Sequence, residues 1–281
     1  MTGVSAIKAD TFEIPCRDGL TIRGEVYKAN SPHGSVIICH GFKGFAHWAF
    51  FPYLGRRLAQ DGLTAITFDF SGSGIGADRE TFTEAQAFAG NTFSRELDDL
   101  ELVEDFARRK QWINGKFGLF GHSRGGGTAI LYTAAADANV NSLVTWSAIS
   151  YPNRWSREDV ITWRKRGYTE ITNSRTGQVM RLDTDLLDDV ELNGTTKLNI
   201  EAAAAKVRVP WLIVHGTADE TVPSSEAEHL HSLSRGVSTL RLIREASHGF
   251  DAKHPLNEVP PALEKVVLET AKFFVRNAMA K

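Results

Sequence analysis

Along most of the chain, short continuous apolar runs alternate with longer stretches whose apolar positions recur every three to four residues. The runs are SVIICHG (35–41), LTAITFDF (63–70), KFGLFGHS (116–123), NSLVTWSA (141–148), PWLIVHG (210–216) and STLRLI (238–243). Between them lie the helical patterns WAFFPYLGRRLAQ, SRELDDLELVEDFARRK, GGTAILYTAAA and SSEAEHLHSL, and VPPALEKVVLETAKFFVRNAMAK closes the chain. A strand that is apolar on both faces must be covered on both. The alternation therefore predicts an α/β fold, a mostly parallel sheet between two helical layers. The opening segment TFEIPCRDGLTIRGEVYKA instead alternates apolar and polar residues about Asp18-Gly19, which predicts an antiparallel hairpin.

One interval breaks this rhythm. Residues 150–205 are polar, carry Trp155, Trp163 and Tyr168, and separate two predicted strands. An insertion of that length between sheet strands is a functional loop or a disordered one, and its tryptophans argue against disorder. It is expected to form a small cap over the strand ends, within a single domain spanning residues 1–281.

Ligands of parallel sheets bind beyond the carboxyl ends of the strands, so chemistry is sought there. The run FGLF leads into Gly121-His122-Ser123-Arg124-Gly125, a G-x-S-x-G pattern followed at once by a small-residue helix. The bare pattern is weak, and the strand before it and the helix after it give it weight. A reversal this sharp strains the apex, and glycines two positions to either side let the flanking chains approach. The serine hydroxyl would then stand at a helix N-terminus, where developing negative charge is favoured. A plain N-cap is the alternative reading of Ser123.

A serine nucleophile needs a base and an acid to orient it. Of nine histidines, His248 follows the run STLRLI in the loop REASHGFD, from which it can reach the sheet's carboxyl edge. His215 ends a strand run and His122 lies in the turn itself, while His229 and His231 sit in a polar helical pattern. His33, His47 and His254 occupy loop-like or helix-edge settings. The acid is expected after PWLIVHG, at Asp219, with Glu220 and Asp251 as fallbacks. Two backbone N–H donors for an oxyanion are expected at Arg124, after the serine, and at Phe42, in the loop CHGFKGFAHW. Phe42, Trp146, Tyr151, Trp155 and Trp163 are candidates to line an acyl pocket. A second glycine-rich stretch, FDFSGSGIGA (68–77), satisfies G-x-G-x-x-A but is not followed by an immediate helix, so it reads as a loop and not as a dinucleotide site.

Composition narrows the classes. A net charge of −2 and the absence of a dense basic cluster give no reason to expect nucleic acid or an anionic membrane. Cys16 and Cys39 are too few for a disulfide framework, and neither they nor the histidines show metal-ligand spacing, so no metal or cofactor is expected. Without a signal-like start or a membrane-length apolar run, a soluble cytoplasmic protein is expected.

Taken in order, the HGF loop, GHSRGG, HGTADETVP and SHGF resemble the α/β-hydrolase superfamily from about Gly24 to the last helix. The HGF loop, the DFSGSG strand end and the insertion are similar to bacterial feruloyl and cinnamoyl esterases and to acyl-peptidase-like hydrolases. The resemblance implies a triad of Ser123, Asp219 and His248, oxyanion donors at Phe42 and Arg124, and a small-molecule carboxylic ester as substrate. A serine peptidase holding a substrate amine on Glu158, Asp159 or Glu170, a thioesterase, or a catalytically silent binding relative would be read from the same motifs.

Overall fold

The computed structural model describes residues 7–135, 138–173 and 177–279. Residues 1–6, where no leader is expected, 136 and 280–281, in two expected helices, 137, and 174–176 in the insertion lie outside the described residues. The strands are β1 Ala9–Pro15, β2 Thr21–Tyr27, β3 Gly34–Cys39, β4 Leu63–Asp69, β5 Phe117–His122, β6 Val140–Trp146, β7 Tyr168–Thr172, β8 Val179–Asp183, β9 Trp211–Gly216 and β10 Ser238–Ile243. The helices are α1 Phe50–Gln60, α2 Ala85–Ala89, α3 Phe93–Arg109, α4 Arg124–Thr133, α5 Arg157–Arg166, α6 Asp185–Asn193, α7 Ile200–Ala204, α8 Ser224–Leu233 and α9 Pro261–Met279.

Eight strands form one sheet in the order β1-β2-β4-β3-β5-β6-β9-β10. The expected hairpin supplies the antiparallel edge: β1 pairs with β2, and β2 pairs antiparallel with β4. The loop between them reverses at Gly19, whose φ of +85° suits glycine. All later pairings in this sheet are parallel.

The continuous apolar runs are explained by burial on both faces. In β3, Ile37 and Cys39 face one core with α3, α4 and the insertion, whereas Val36 and Ile38 face the other with α1 and α9. Strand β9 divides likewise, Trp211 and Ile213 to one side and Leu212 and Val214 to the other. The stretch 70–84 after β4 opens no helix before α2, as expected for a glycine-permitted loop.

From β3 the chain goes to β4 on one side and later to β5 on the other. This reversal of strand order opens a crevice at the carboxyl ends of β3 and β5. The insertion folds as α5, the antiparallel hairpin β7-β8, α6 and α7, and rests on α2, α3 and α4.

Candidate active site

Strand β5 delivers Ser123 to that crevice. Its backbone has φ 57° and ψ −121°, a conformation a non-glycine residue adopts only when its surroundings hold it there. They do so through hydrogen bonds. The Ser123 N–H donates to the Trp146 carbonyl at 2.9 Å, and its own carbonyl accepts from Gly126, Gly127 and Ile149. Two glycines have no room for a side chain: a Cβ at 121 would lie 2.2 Å from the Gly125 carbonyl oxygen, and one at 125 would lie 2.2 Å from that of His40. The Ser123 hydroxyl makes no capping bond to α4, so the N-cap reading does not hold.

Asp219 and His248 arrive from neighbouring strands. Asp219 lies in the turn after β9, its side chain fully buried, and His248 in the loop after β10. His248 Nδ1 is 2.7 Å from Asp219 Oδ2. A carboxylate only accepts, so Nδ1 carries a proton, and in the neutral tautomer this leaves the Nε2 lone pair free. Asp219 Oδ1 accepts the N–H groups of Thr221 and Val222, both at 2.9 Å. Burial pushes the Asp219 carboxyl up, but hydrogen bonds from His215 and His248 outweigh it and hold the group well below the usual carboxylate range. Of the two fallbacks, Glu220 is exposed and Asp251 accepts the Ser247 N–H.

The loop after β3 lies against the serine. A Cβ on Gly41 would come within 2.9 Å of Ser123 Cβ. The Gly41 carbonyl is occupied twice, by the Gly44 N–H at 2.9 Å and by His40 Nδ1 at 2.8 Å. In a planar trans peptide the next N–H points the opposite way, so the Phe42 amide faces away from both donors. Among the described residues neither it nor the Arg124 amide donates to a backbone carbonyl. The Arg124 guanidinium is buried elsewhere, 4.0 Å from the Phe93 ring centre, with its Nε 2.9 Å from Glu96.

Two further buried histidines brace these loops. His40 Nε2 accepts the Phe70 N–H at 3.2 Å, and burial pushes its pKa down to about 4. His122 Nε2 donates to the His248 carbonyl at 3.0 Å, its ring centre 4.7 Å from that of His248, and burial lowers its pKa to about 3. Both rings are neutral near pH 7. The signal was present in the sequence, a histidine closing an otherwise apolar strand, but it did not separate brace from base.

Ser123 and His248 line one cavity of about 450 Å³ with Phe42, Phe93, Trp155 and Val222. Of Trp146, Tyr151, Trp155 and Trp163, all expected in the pocket, Trp155 lines it. Trp146 lies in the core under the sheet, fully buried, its Nε1 bonded to Thr270. Trp163 is buried edge-on against Trp155. Tyr151 is 43% exposed and stacks on Arg154. Among the described residues no carboxylate lines the cavity. Asp159 completes the N-terminal capping box of α5, Glu170 pairs with Arg166, and Glu158 is exposed. Among the described residues no group of three or more His, Cys, Asp or Glu could hold a metal ion, and no helix is long and apolar enough to cross a membrane.

The architecture and the motif order have known counterparts. A model of the alpha/beta hydrolase fold matches residues 34–168, which carry β3 to β6 and the serine turn. The chain has the α/β-hydrolase fold. A 31.7 kDa Escherichia coli protein, described as uncharacterized and encoded in the traX-finO intergenic region, is 28% identical over 267 residues, covering 82% of this chain and 88% of that one. Among solved structures with the α/β-hydrolase fold, Est1E from Butyrivibrio proteoclasticus with ferulic acid bound superposes with a TM-score of 0.73 at 21% identity, covering 96% of this chain and 100% of that one. Acylaminoacyl peptidase from Pyrococcus horikoshii gives 0.70 at 16% identity, over 99% of this chain and 43% of the other. At these identities the structural likeness is one of fold.

Proposed function

We propose that this protein is a serine hydrolase that cleaves carboxylic esters through an acyl-enzyme. The observation that carries the reading is the 2.7 Å bond from His248 Nδ1 to the buried Asp219 carboxylate, with the ring and the Ser123 turn opening on one cavity. The fold and its esterase neighbours support a hydrolase. In this reading His248 Nε2 takes the Ser123 proton as Oγ attacks the ester carbon. The tetrahedral oxyanion is met by the Phe42 and Arg124 amides, and His248 returns the proton to the leaving alcohol. Water then enters by the same route, releasing the acid and restoring Ser123. Asp219 holds the imidazole in the required tautomer and stabilises the imidazolium without taking its proton.

The cavity lining favours esters over aminoacyl amides, because among the described residues it offers no carboxylate to hold an α-ammonium group. The test pairs an organophosphonate probe with a substrate panel: p-nitrophenyl esters of increasing chain length, methyl ferulate and an aminoacyl p-nitroanilide. Stoichiometric labelling lost in Ser123→Ala, with turnover of esters and not of the anilide, is the expected result. Equal labelling of Ser123→Ala would refute the nucleophile, and absence of labelling in the native protein would leave a binding relative as the better reading.

A further inference from the structure

The strand β9 is apolar from Trp211 to Val214 and then places His215, 0% exposed, one residue before its end. Its Nε2 lies 2.8 Å from the Val222 carbonyl oxygen and 3.1 Å from Asp219 Oδ2, the same oxygen that His248 engages. Both neighbours are acceptors, so Nε2 carries the proton and is shared between them. Among the described residues its buried Nδ1 has no hydrogen-bond partner, and a second proton there would have no acceptor. A buried imidazole with one nitrogen unserved is costly in a strand that could carry valine. Its other nitrogen spans the turn that presents the acid, touching that turn at Asp219 and again at Val222.

We infer that His215 is a positioning residue for Asp219, fixing the carboxylate rotamer and sharing the charge of Oδ2 between two imidazoles. This rests on the reading of Ser123, Asp219 and His248 as a triad. Four N–H groups then reach one buried carboxylate: Thr221 and Val222 on Oδ1, His215 and His248 on Oδ2. Sharing Oδ2 has a consequence for the base. An oxygen already serving a second donor stabilises an imidazolium beside it less, so an acid limb of activity is expected at lower pH than a lone Asp–His pair would give. The titratable groups gathered here are Asp219 after β9, His215 in β9, His248 after β10 and, against the His248 ring, His122 at the end of β5. His122 is neutral throughout the working range and adds no changing charge.

The experiment is the pH profile of p-nitrophenyl butyrate hydrolysis by the native protein, His215→Phe and His215→Gln, with Ser123→Ala and Asp219→Asn as controls. His215→Phe removes the donor and keeps the bulk. It is expected to lower kcat about tenfold with KM nearly unchanged, and to move the acid limb of kcat/KM up by about half a pH unit or more. His215→Gln can return an N–H towards Oδ2 and should recover much of both. A role confined to packing would lower the Tm of His215→Phe and leave the acid limb in place, which would overturn the inference. So would a Gln variant no better than Phe. If His215→Phe does not fold, His215→Asn, polar but too short to reach Asp219, takes its place with the same expected limb. Full activity in Ser123→Ala or Asp219→Asn would instead fell the triad reading itself, whatever His215 does.

Discussion

The side chains around Ser123 divide by what each nitrogen can donate to. His248 hydrogen-bonds through its Nδ1–H to Asp219 and leaves Nε2 open, whereas the buried His40 and His122 have their N–H groups committed to backbone carbonyls. Asp219→Asn would put an amide opposite Nδ1 and favour the wrong tautomer, so kcat should fall by about 10³-fold or more while the protein stays folded. Steady-state kinetics beside a melting curve checks this. The tryptophans separate in the same way. Trp155→Ala should raise KM for longer acyl chains with a modest loss of stability, because Trp155 lines the cavity. Trp146→Phe should leave kcat/KM unchanged and cost about 1–3 kcal/mol, since it strands the Thr270 hydroxyl and thins the core. Chemical denaturation and an acyl-chain series on both variants distinguish the two.

The elements were legible where apolar runs were continuous, and less so where a loop's meaning lay in what it touches. The strand expected at 210–216 carries a histidine one residue before its end, and nothing in WLIVHG says whether that ring reaches Asp219 or solvent. Likewise Trp146 closes a run as an aromatic at a strand's carboxyl end, the position where ligands sit, yet the alternation of faces turns it under the sheet towards Phe50 and Phe250. The order of motifs was informative because each catalytic candidate follows its own strand, and that depends on chain order alone. The glycines of the serine turn make a sharp prediction at this scale. Gly125→Ala would drive a methyl into the His40 carbonyl, backbone against backbone, where no flexible atom can yield. A loss of about 3 kcal/mol or more in urea unfolding, with labelling by the phosphonate probe abolished or slowed, is the expected outcome.

Across the whole molecule, the loops on either side of the site are tied by a cluster outside it. His47 lies 2.9 Å from Glu25 on β2 and 2.9 Å from Glu80, and Glu80 also approaches His254, whose Nδ1 accepts the Ala49 N–H. Hydrogen bonding to Glu25, against the opposing effect of burial, raises the His47 pKa from 6.5 to about 9. A base whose pKa is raised on folding stabilises fully below its ordinary value and loses that contribution as pH climbs through the raised one. Asp69, whose burial lifts its carboxyl to about 7, is ionised before the upper part of this window is reached. Native protein should therefore lose about 1–2 kcal/mol between pH 7 and 9.5 that His47→Gln does not lose, a difference that melting curves at a series of pH values would reveal. These pairings join residues far apart in the chain, 205 positions in the case of Ala49 and His254, and no local pattern could have announced them.

The bond from Ile149 N–H to the Ser123 carbonyl bears on how such a protein could be rebuilt. The strand that leads into the insertion has not finished its work at Trp146, since Ile149 still braces the bend, and Ser150 is anchored in turn to Glu226 of α8. A chimaera that exchanged the insertion for a foreign one would have to graft downstream of Ser150. Cut any earlier, it would remove the Ile149 bond to the Ser123 carbonyl and loosen the bend that holds the hydroxyl.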